Sequence, residues 1–246
     1  MSAPLTVHQF PAFINMQPSP FGLKLETWLR MNKLPYDVEF SPMKMGPKGK
    51  VPFVSFDNQV MGDSELIIEA LQAKHGLKEE GLNPEDKAKG LLVRRMVEEH
   101  LYFILVYSRW ADPVGWEPFK KLVFSGVPFF IRGFISNKAH KAMGALLKSQ
   151  GIARHTRDEI YQMAEDDLNT LSTILGEGTY FLGDSPTLTD ASAYGLLANI
   201  LYDPTQTRLL EILKKSPNLI QYSERMKSGF WSDASRGGGE KTKFTP

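Results

Sequence analysis

Four short groups of residues in the first third of the chain have the types and spacing to hold a small polar ligand. Ser19-Pro20-Phe21-Gly22 stands where a strand signal gives way to a helix. A helix N-terminus presents free N–H groups and a positive partial charge. A serine hydroxyl there can donate to a thiolate and lower the thiol pKa; serine is equally an ordinary helix cap. Val51-Pro52 opens a strand, where proline has no N–H for a ladder. A cis bond there would leave neighbouring backbone groups free to pair with an extended peptide, whereas a trans proline would only start the strand. Asp63-Ser64 precedes a second helix. Its hydroxyl and the helix N–H groups can hold a carboxylate and Asp63 an ammonium, or the two form a plain cap. Lys50 either meets a second carboxylate or is a solvated surface charge. Together these groups describe a site for a small peptide carrying a thiol, an amine and two carboxylates.

The surrounding pattern must supply the frame. A short strand is expected at 5–10 and a chain break at Pro18-Ser19-Pro20. A helix follows over 21–31, with Phe21, Leu25, Trp28 and Leu29 on one face. Residues 36–40 alternate as a half-buried strand. After a Pro-, Gly- and Lys-rich loop come a strand at 51–56, a turn at Asp57-Asn58, a short returning strand and a helix through Leu66, Ile67 and Leu71. The order β-α-β-β-β-α implies helices packed on a mixed four-stranded sheet. Residues 76–86 are polar and turn-rich, the best linker. All that follows reads as helix, with capping boxes at Thr156/Glu159 and Thr187/Asp190 and a further start at Ser216-Pro217. The expected division is an α/β domain over 1–77, an all-α domain over 85–232, and a mobile glycine-rich tail over 233–246.

Composition narrows the chemistry. There is no cysteine, which excludes disulfides, thiolate metal sites and a cysteine nucleophile. The five histidines are never three or four apart, so no zinc site is expected. The 29 basic residues nearly cancel the 28 acidic ones, giving no reason to expect nucleic acid as a partner. No apolar run reaches the length of a membrane span, and no secretory leader is recognisable, so a cytoplasmic location is the expectation.

These motifs, in this order, resemble the glutathione transferase superfamily. Ser19-Pro20-Phe21 stands where thioredoxin-fold proteins carry Cys-Pro-x-Cys and where these transferases carry their catalytic Ser, Cys or nearby Tyr. Lys50-Val51-Pro52 looks like the family's cis-proline segment, Asp63-Ser64 like its γ-glutamyl motif, and Thr187-Leu188-Thr189-Asp190 like the cap of its buried helix. The runs 17–27, 49–53 and 96–110 resemble the failed-axon-connections and metaxin-like branch. The resemblance implies a thioredoxin-like domain followed by an all-helical one, with glutathione as co-substrate and no metal. Its role assignment makes Ser19 the donor to the glutathione sulfur, with Asn15 or Gln17 as alternatives. Val51 with Pro52 would pair with the cysteinyl part, Asp63 and Ser64 bind the γ-glutamyl end, and Lys50 meet the glycyl carboxylate. A homodimer is expected on the same ground. Gly22 stands where this branch often has cysteine, so a disulfide-exchange role is not expected. Metaxins carry a C-terminal membrane anchor; the polar end of this chain implies a soluble member. The expected function is attack of a glutathione thiolate on a small electrophile, the alternative a non-catalytic binding or scaffold protein.

The second substrate is expected between the domains, with Tyr102, Tyr107 and Trp110 as its lining and Trp116, Phe129, Phe130 and Phe134 as further candidates, though many of these also read as packing. Glu98 and Glu99 read as a solvated helix face. Residues 118–157 contain no acid but hold Lys120, Lys121, Arg132, Lys138, Lys141, Lys148, Arg154 and Arg157. Beside the phenylalanines, that stretch suits an anionic substrate, a membrane surface, or plain solvation.

Overall fold

A computed structural model describes residues 5–12, 16–40, 45–78, 81–232 and 242–245. The first domain runs β1 (Thr6–Gln9), α1 (Pro20–Met31), β2 (Tyr36–Phe40), β3 (Phe53–Phe56), β4 (Gln59–Gly62) and α2 (Ser64–His75). β1 pairs parallel with β2 and antiparallel with β3, and β4 returns antiparallel along β3. Asp57 and Asn58 both have positive φ, 49° and 61°. That is the twist a two-residue hairpin between right-twisted strands needs.

The sheet has one strand more than expected. β5 (Thr242–Phe244) lies antiparallel on β2, giving the order β4-β3-β1-β2-β5. Part of the stretch expected to be a mobile tail is therefore a sheet edge. The Phe244 ring sits 5.3 Å from that of Tyr36, and the Arg30 guanidinium lies 4.6 Å from its centroid. A three-residue strand behind a glycine run is too short for alternation to reveal.

The helical domain begins with α3 (Pro84–Arg95), which continues through a π-helical turn (Met96–Leu101) into α4 (Tyr102–Trp110). Then come α5 (Pro113–Val123), α6 (Phe129–Gln150), a short 3-10 turn (Ile152–Arg154), α7 (Arg157–Leu175), α8 (Leu188–Leu201), α9 (Arg208–Leu213) and α10 (Pro217–Phe230). Both expected capping boxes are present, at the starts of α7 and α8. The second is buried. Asp190 accepts from the N–H groups of Phe181 and Thr187 at 3.0 and 2.8 Å and from the Tyr222 hydroxyl at 3.2 Å.

α8 is buried almost throughout, as a helix apolar on all faces must be. It packs on α1, itself buried on every side. Two cores meet at this contact: Leu23 of α1 joins the core of the helical domain, while Leu188 and Ala191 of α8 join the core behind the sheet. Gly195 sets the approach. A Cβ there would stand 2.5 Å from the Pro20 carbonyl oxygen and 3.1 Å from the Lys24 nitrogen, both backbone atoms. Gly195→Ala is expected to cost about 2–3 kcal/mol through overpacking. Gly144→Ala, where a Cβ meets nothing within 4 Å, should be neutral or slightly stabilising. Urea denaturation of the two variants checks the contrast.

Candidate functional site

Ser19 is the N-cap of α1. Its backbone is extended, and its Oγ accepts from the Gly22 N–H at 3.2 Å. Capping uses one lone pair of the hydroxyl and leaves its hydrogen free to donate elsewhere. Gln17 is committed to the local frame: its Oε1 accepts from the Ser19 N–H at 3.2 Å and its Nε2 donates to the Phe10 carbonyl at 3.0 Å. It is thereby tied as a support of the loop. Asn15, the other alternative, lies outside the described residues. Gly22 is enclosed. A Cβ there would lie 2.8 Å from Gln9 Oε1 and 3.1 Å from Gln17 Cγ, so a larger residue at this position of α1 would have to displace those two side chains.

The loop before Ser19 is gripped from the helical domain. Arg109, buried on α4, donates through Nη1 to the Pro18 carbonyl at 3.1 Å and through Nη2 to the Asn199 carbonyl at 2.7 Å. Its Nε meets Asp203 Oδ2 at 2.8 Å. Asn199 on α8 completes the grip by donating Nδ2 to the Gln17 carbonyl at 3.1 Å. Burial lowers the Arg109 pKa and the Asp203 carboxylate opposes the shift. Local sequence patterns missed these residues, because their partners lie about ninety positions or more away along the chain.

The Val51–Pro52 bond is cis. Phe53 pairs with Gly62 in the β3–β4 ladder, so the next position out along each strand sets Pro52 beside Asp63. The Asp63 backbone has φ 85°, a left-handed conformation that aspartate tolerates better than most residues. Its Oδ1 accepts from the N–H groups of Glu65 and Leu66 at 3.0 and 3.3 Å, and Oδ2 lies 3.6 Å from Lys48 Nζ. Ser64 is buried at the first turn of α2, and Lys50 is exposed. Lys48, unremarked among the loop lysines, is thus the cation paired with Asp63.

A cavity of about 410 Å³ opens between the domains. The first domain lines it with Ser19, Phe21, Lys50 and Val51, the helical domain with Tyr102, Val106, Arg109 and Trp110. Asp63 and Ser64 stand back from this lining. Tyr107 does not reach it. Tyr102, Val106, Arg109 and Trp110 follow the spacing of one helical face, and Tyr107 is a turned step away, packed edge-on against Tyr161 at 6.3 Å. Trp116 stacks between Trp110 and His140 as core. Phe129, Phe130 and Phe134 point away from the cleft into solvent. Tyr102 packs edge-on over Phe21 at 4.9 Å. Burial holds its phenol above the ordinary tyrosine range, with Arg109 opposing, so it stays protonated at neutral pH.

Glu98, expected on a solvated face, is buried. It and Glu99 reach the cleft lining from the π-helical turn, a distortion often found at functional sites. Lys24 of α1, 1% exposed, joins Glu98 Oε1 at 2.7 Å to Glu65 Oε2 at 2.5 Å, and Arg94 Nε lies 3.4 Å from Glu65 Oε1. Burial alone would raise the Glu65 pKa; Lys24, Arg94 and Arg95 overcome it and hold the carboxyl below its ordinary 4.5. Lys24→Met takes the cation from buried Glu98 and leaves Glu65 to Arg94, and should cost about 3–5 kcal/mol at neutral pH. A carboxylate held low contributes stability that is complete above about pH 4.5 and lost as pH falls through the lowered value. The penalty of the variant therefore shrinks below that pH, which denaturation at pH 7 and pH 4 would reveal.

Comparison with known proteins agrees with the fold. Residues 20–115 match the family model described as the glutathione S-transferase N-terminal domain, and residues 164–226 that of the C-terminal domain. Isoprene-epoxide–glutathione S-transferase of Rhodococcus sp. (strain AD45) is 29% identical over 237 residues, covering 92% of this chain and 99% of that protein. Failed axon connections of Drosophila melanogaster is 31% identical over 230 residues, 87% of this chain but only 55% of that protein. The mitochondrial outer membrane import complex protein metaxin of Arabidopsis thaliana is 25% identical over 227 residues, 89% of this chain and 70% of that protein. Among solved structures, glutathione transferase GSTFuA3 from Phanerochaete chrysosporium superposes with TM-score 0.64 at 15% identity, covering 93% and 98% of the two chains, a likeness of fold. The expectation of a purely cytoplasmic location is overturned by the Arabidopsis thaliana relative, which is named for a mitochondrial outer membrane import complex. That expectation rested on the lack of a span and a leader, and neither excludes a protein held at a membrane by its surface or by a partner.

Proposed function

The chain belongs to the glutathione transferase superfamily, in the branch that includes failed axon connections and the metaxins, and we propose that it activates the thiol of glutathione for attack on a small electrophile. One observation carries the reading: Ser19 caps α1 through its hydroxyl oxygen and is among the residues lining the interdomain cavity, together with Val51 of the cis peptide. Ser19 donates to the sulfur, and the α1 N-terminus adds its positive field, so the thiolate is favoured. The Val51 backbone, next to Pro52, pairs with the cysteinyl unit. Asp63 and Ser64 take the γ-glutamyl end, with Lys48 steadying the Asp63 carboxylate. Lys50 takes the glycyl carboxylate. Tyr102 and Trp110 face the electrophile.

A small epoxide is the first electrophile to try, given the name of one relative. As the sulfur–carbon bond forms, the carbon–oxygen bond breaks and the oxygen needs a proton. Tyr102, kept protonated by burial, is the donor in this scheme. A homodimer belongs to the same proposal. The second reading is a binding or scaffold role without catalysis, favoured by the relative named as part of an import complex.

Calorimetric titration with glutathione, with thiolate absorbance followed against pH, separates the two. Wild type should bind and show thiolate at neutral pH. Ser19→Ala should still bind but with the thiol pKa raised by about one to two units. Arg109→Lys keeps the charge and loses the planar fork that holds Pro18. It should lower kcat/KM about tenfold, as small misplacements do, with binding retained. No binding at millimolar glutathione would end the catalytic reading and leave the scaffold.

A further inference from the structure

α6 lies on the helical domain with most of its surface free: of its 22 residues only Ser136 and Leu147 are buried. At its N-terminal end Phe129, Phe130 and Phe134 are 85%, 74% and 75% exposed, with Ile131 and Ile135 partly exposed beside them. A contiguous apolar patch of this kind marks an interaction surface. At about 100° per residue, Phe130, Phe134, Lys138, Lys141 and Lys148 share a face about 80° wide, and all three lysines are exposed. The two characters separate along the axis. Lys138 lies about 12 Å and Lys148 about 27 Å beyond Phe130 at the helical rise. The aromatic end is held in place: Arg132 folds back to donate through Nε and Nη2 to the Val127 carbonyl at 3.0 and 2.8 Å, and through Nη2 to that of Ser125 at 3.2 Å. The whole stretch 118–157 has no acidic residue.

We infer that this face of α6 docks on an anionic lipid surface, with the phenylalanine end seated at the headgroup–acyl boundary and the lysines in the headgroup layer. Charge selects lipid over a second copy of this chain. A two-fold contact through the face would set lysine against lysine with no acid between them, whereas anionic headgroups neutralise them. Placement agrees, because a helix–helix seam needs apolar residues along its length and here they end after the second turn. Among the described residues no helix is long and apolar enough to cross a membrane, so the contact is with the surface. The inference is independent of the glutathione reading.

Sedimentation with vesicles tests it, using phosphatidylcholine alone and phosphatidylcholine with a third of phosphatidylglycerol. Wild type should pellet with the anionic vesicles at low salt and less at high salt. The triple variant Phe129→Ser, Phe130→Ser, Phe134→Ser should stay in the supernatant with an unchanged thermal melt, since these rings pack on little. Lys138→Gln and Lys141→Gln should each lower the partition coefficient about fivefold. Wild type staying in solution with anionic vesicles at low salt overturns the inference, and so does a triple variant that pellets like wild type. A wild-type dimer that fails to pellet and that the triple variant turns into a monomer would assign the face to a contact between copies and equally overturn it.

Discussion

Two main-chain carbonyls, those of Gln17 and Pro18, are bonded from the opposite domain by Asn199 and Arg109, and the shape of the cleft depends on that grip. A guanidinium with its charge removed from water is tolerable only when nearly every donor is used. Here the oxygens come from Asp203, from the Asn199 side chain and backbone, and from the loop itself. Asp203 is satisfied in turn by the Thr205 N–H and hydroxyl. The loop that presents Ser19 is therefore built by both domains, and neither alone would hold it in this position.

A second buried cation lies in α1, the helix that this loop leads into. Lys24 lies one turn beyond the cap, between carboxylates from α2 and from the π-helical turn. Beside it Gly195 admits α8 to within backbone contact of α1. Polar and steric constraints thus act together at one place: the missing side chain lets the helices approach, and the ion pairs select how they approach. Apolar packing would tolerate a slide of one helix on the other, whereas hydrogen-bonded charges in a poorly solvated interface resist it.

What the sequence made legible was local. A serine before a proline at a helix start, an Asp-Ser pair before another, a proline at a strand entry and two capping boxes each concern groups a few residues apart, and each occurs where its pattern lies. Most of the strands and helices followed from the same periodicities. The residues that join the domains were hidden, because Lys24 pairs with Glu98 across 74 positions and Arg109 with Asp203 across 94. Nothing local distinguishes these charges from solvated ones. Tyr107 is different: helical spacing from Tyr102 already turns it off the cleft face, so a stricter use of the period would have dropped it. The phenylalanines at the start of α6 were grouped with the pocket for their composition, but the fold turns them outward.

Phe230, Trp231 and Thr242–Phe244 return to the first domain. Arg30 donates to the Phe230 carbonyl at 2.8 Å and lies 4.1 Å from the centre of the Trp231 ring, whose Nε1 bonds Thr27 at 3.1 Å. β5 then closes the open edge of β2. On the ribosome, where chains emerge from the N-terminus, the first domain is made early but waits for Thr242–Phe244 to complete its sheet. Until they arrive, β2 presents unpaired N–H and C=O groups along an edge that other strands can join. The nascent first domain is thus open to misassociation along β2 until Thr242–Phe244 has been made and has paired there.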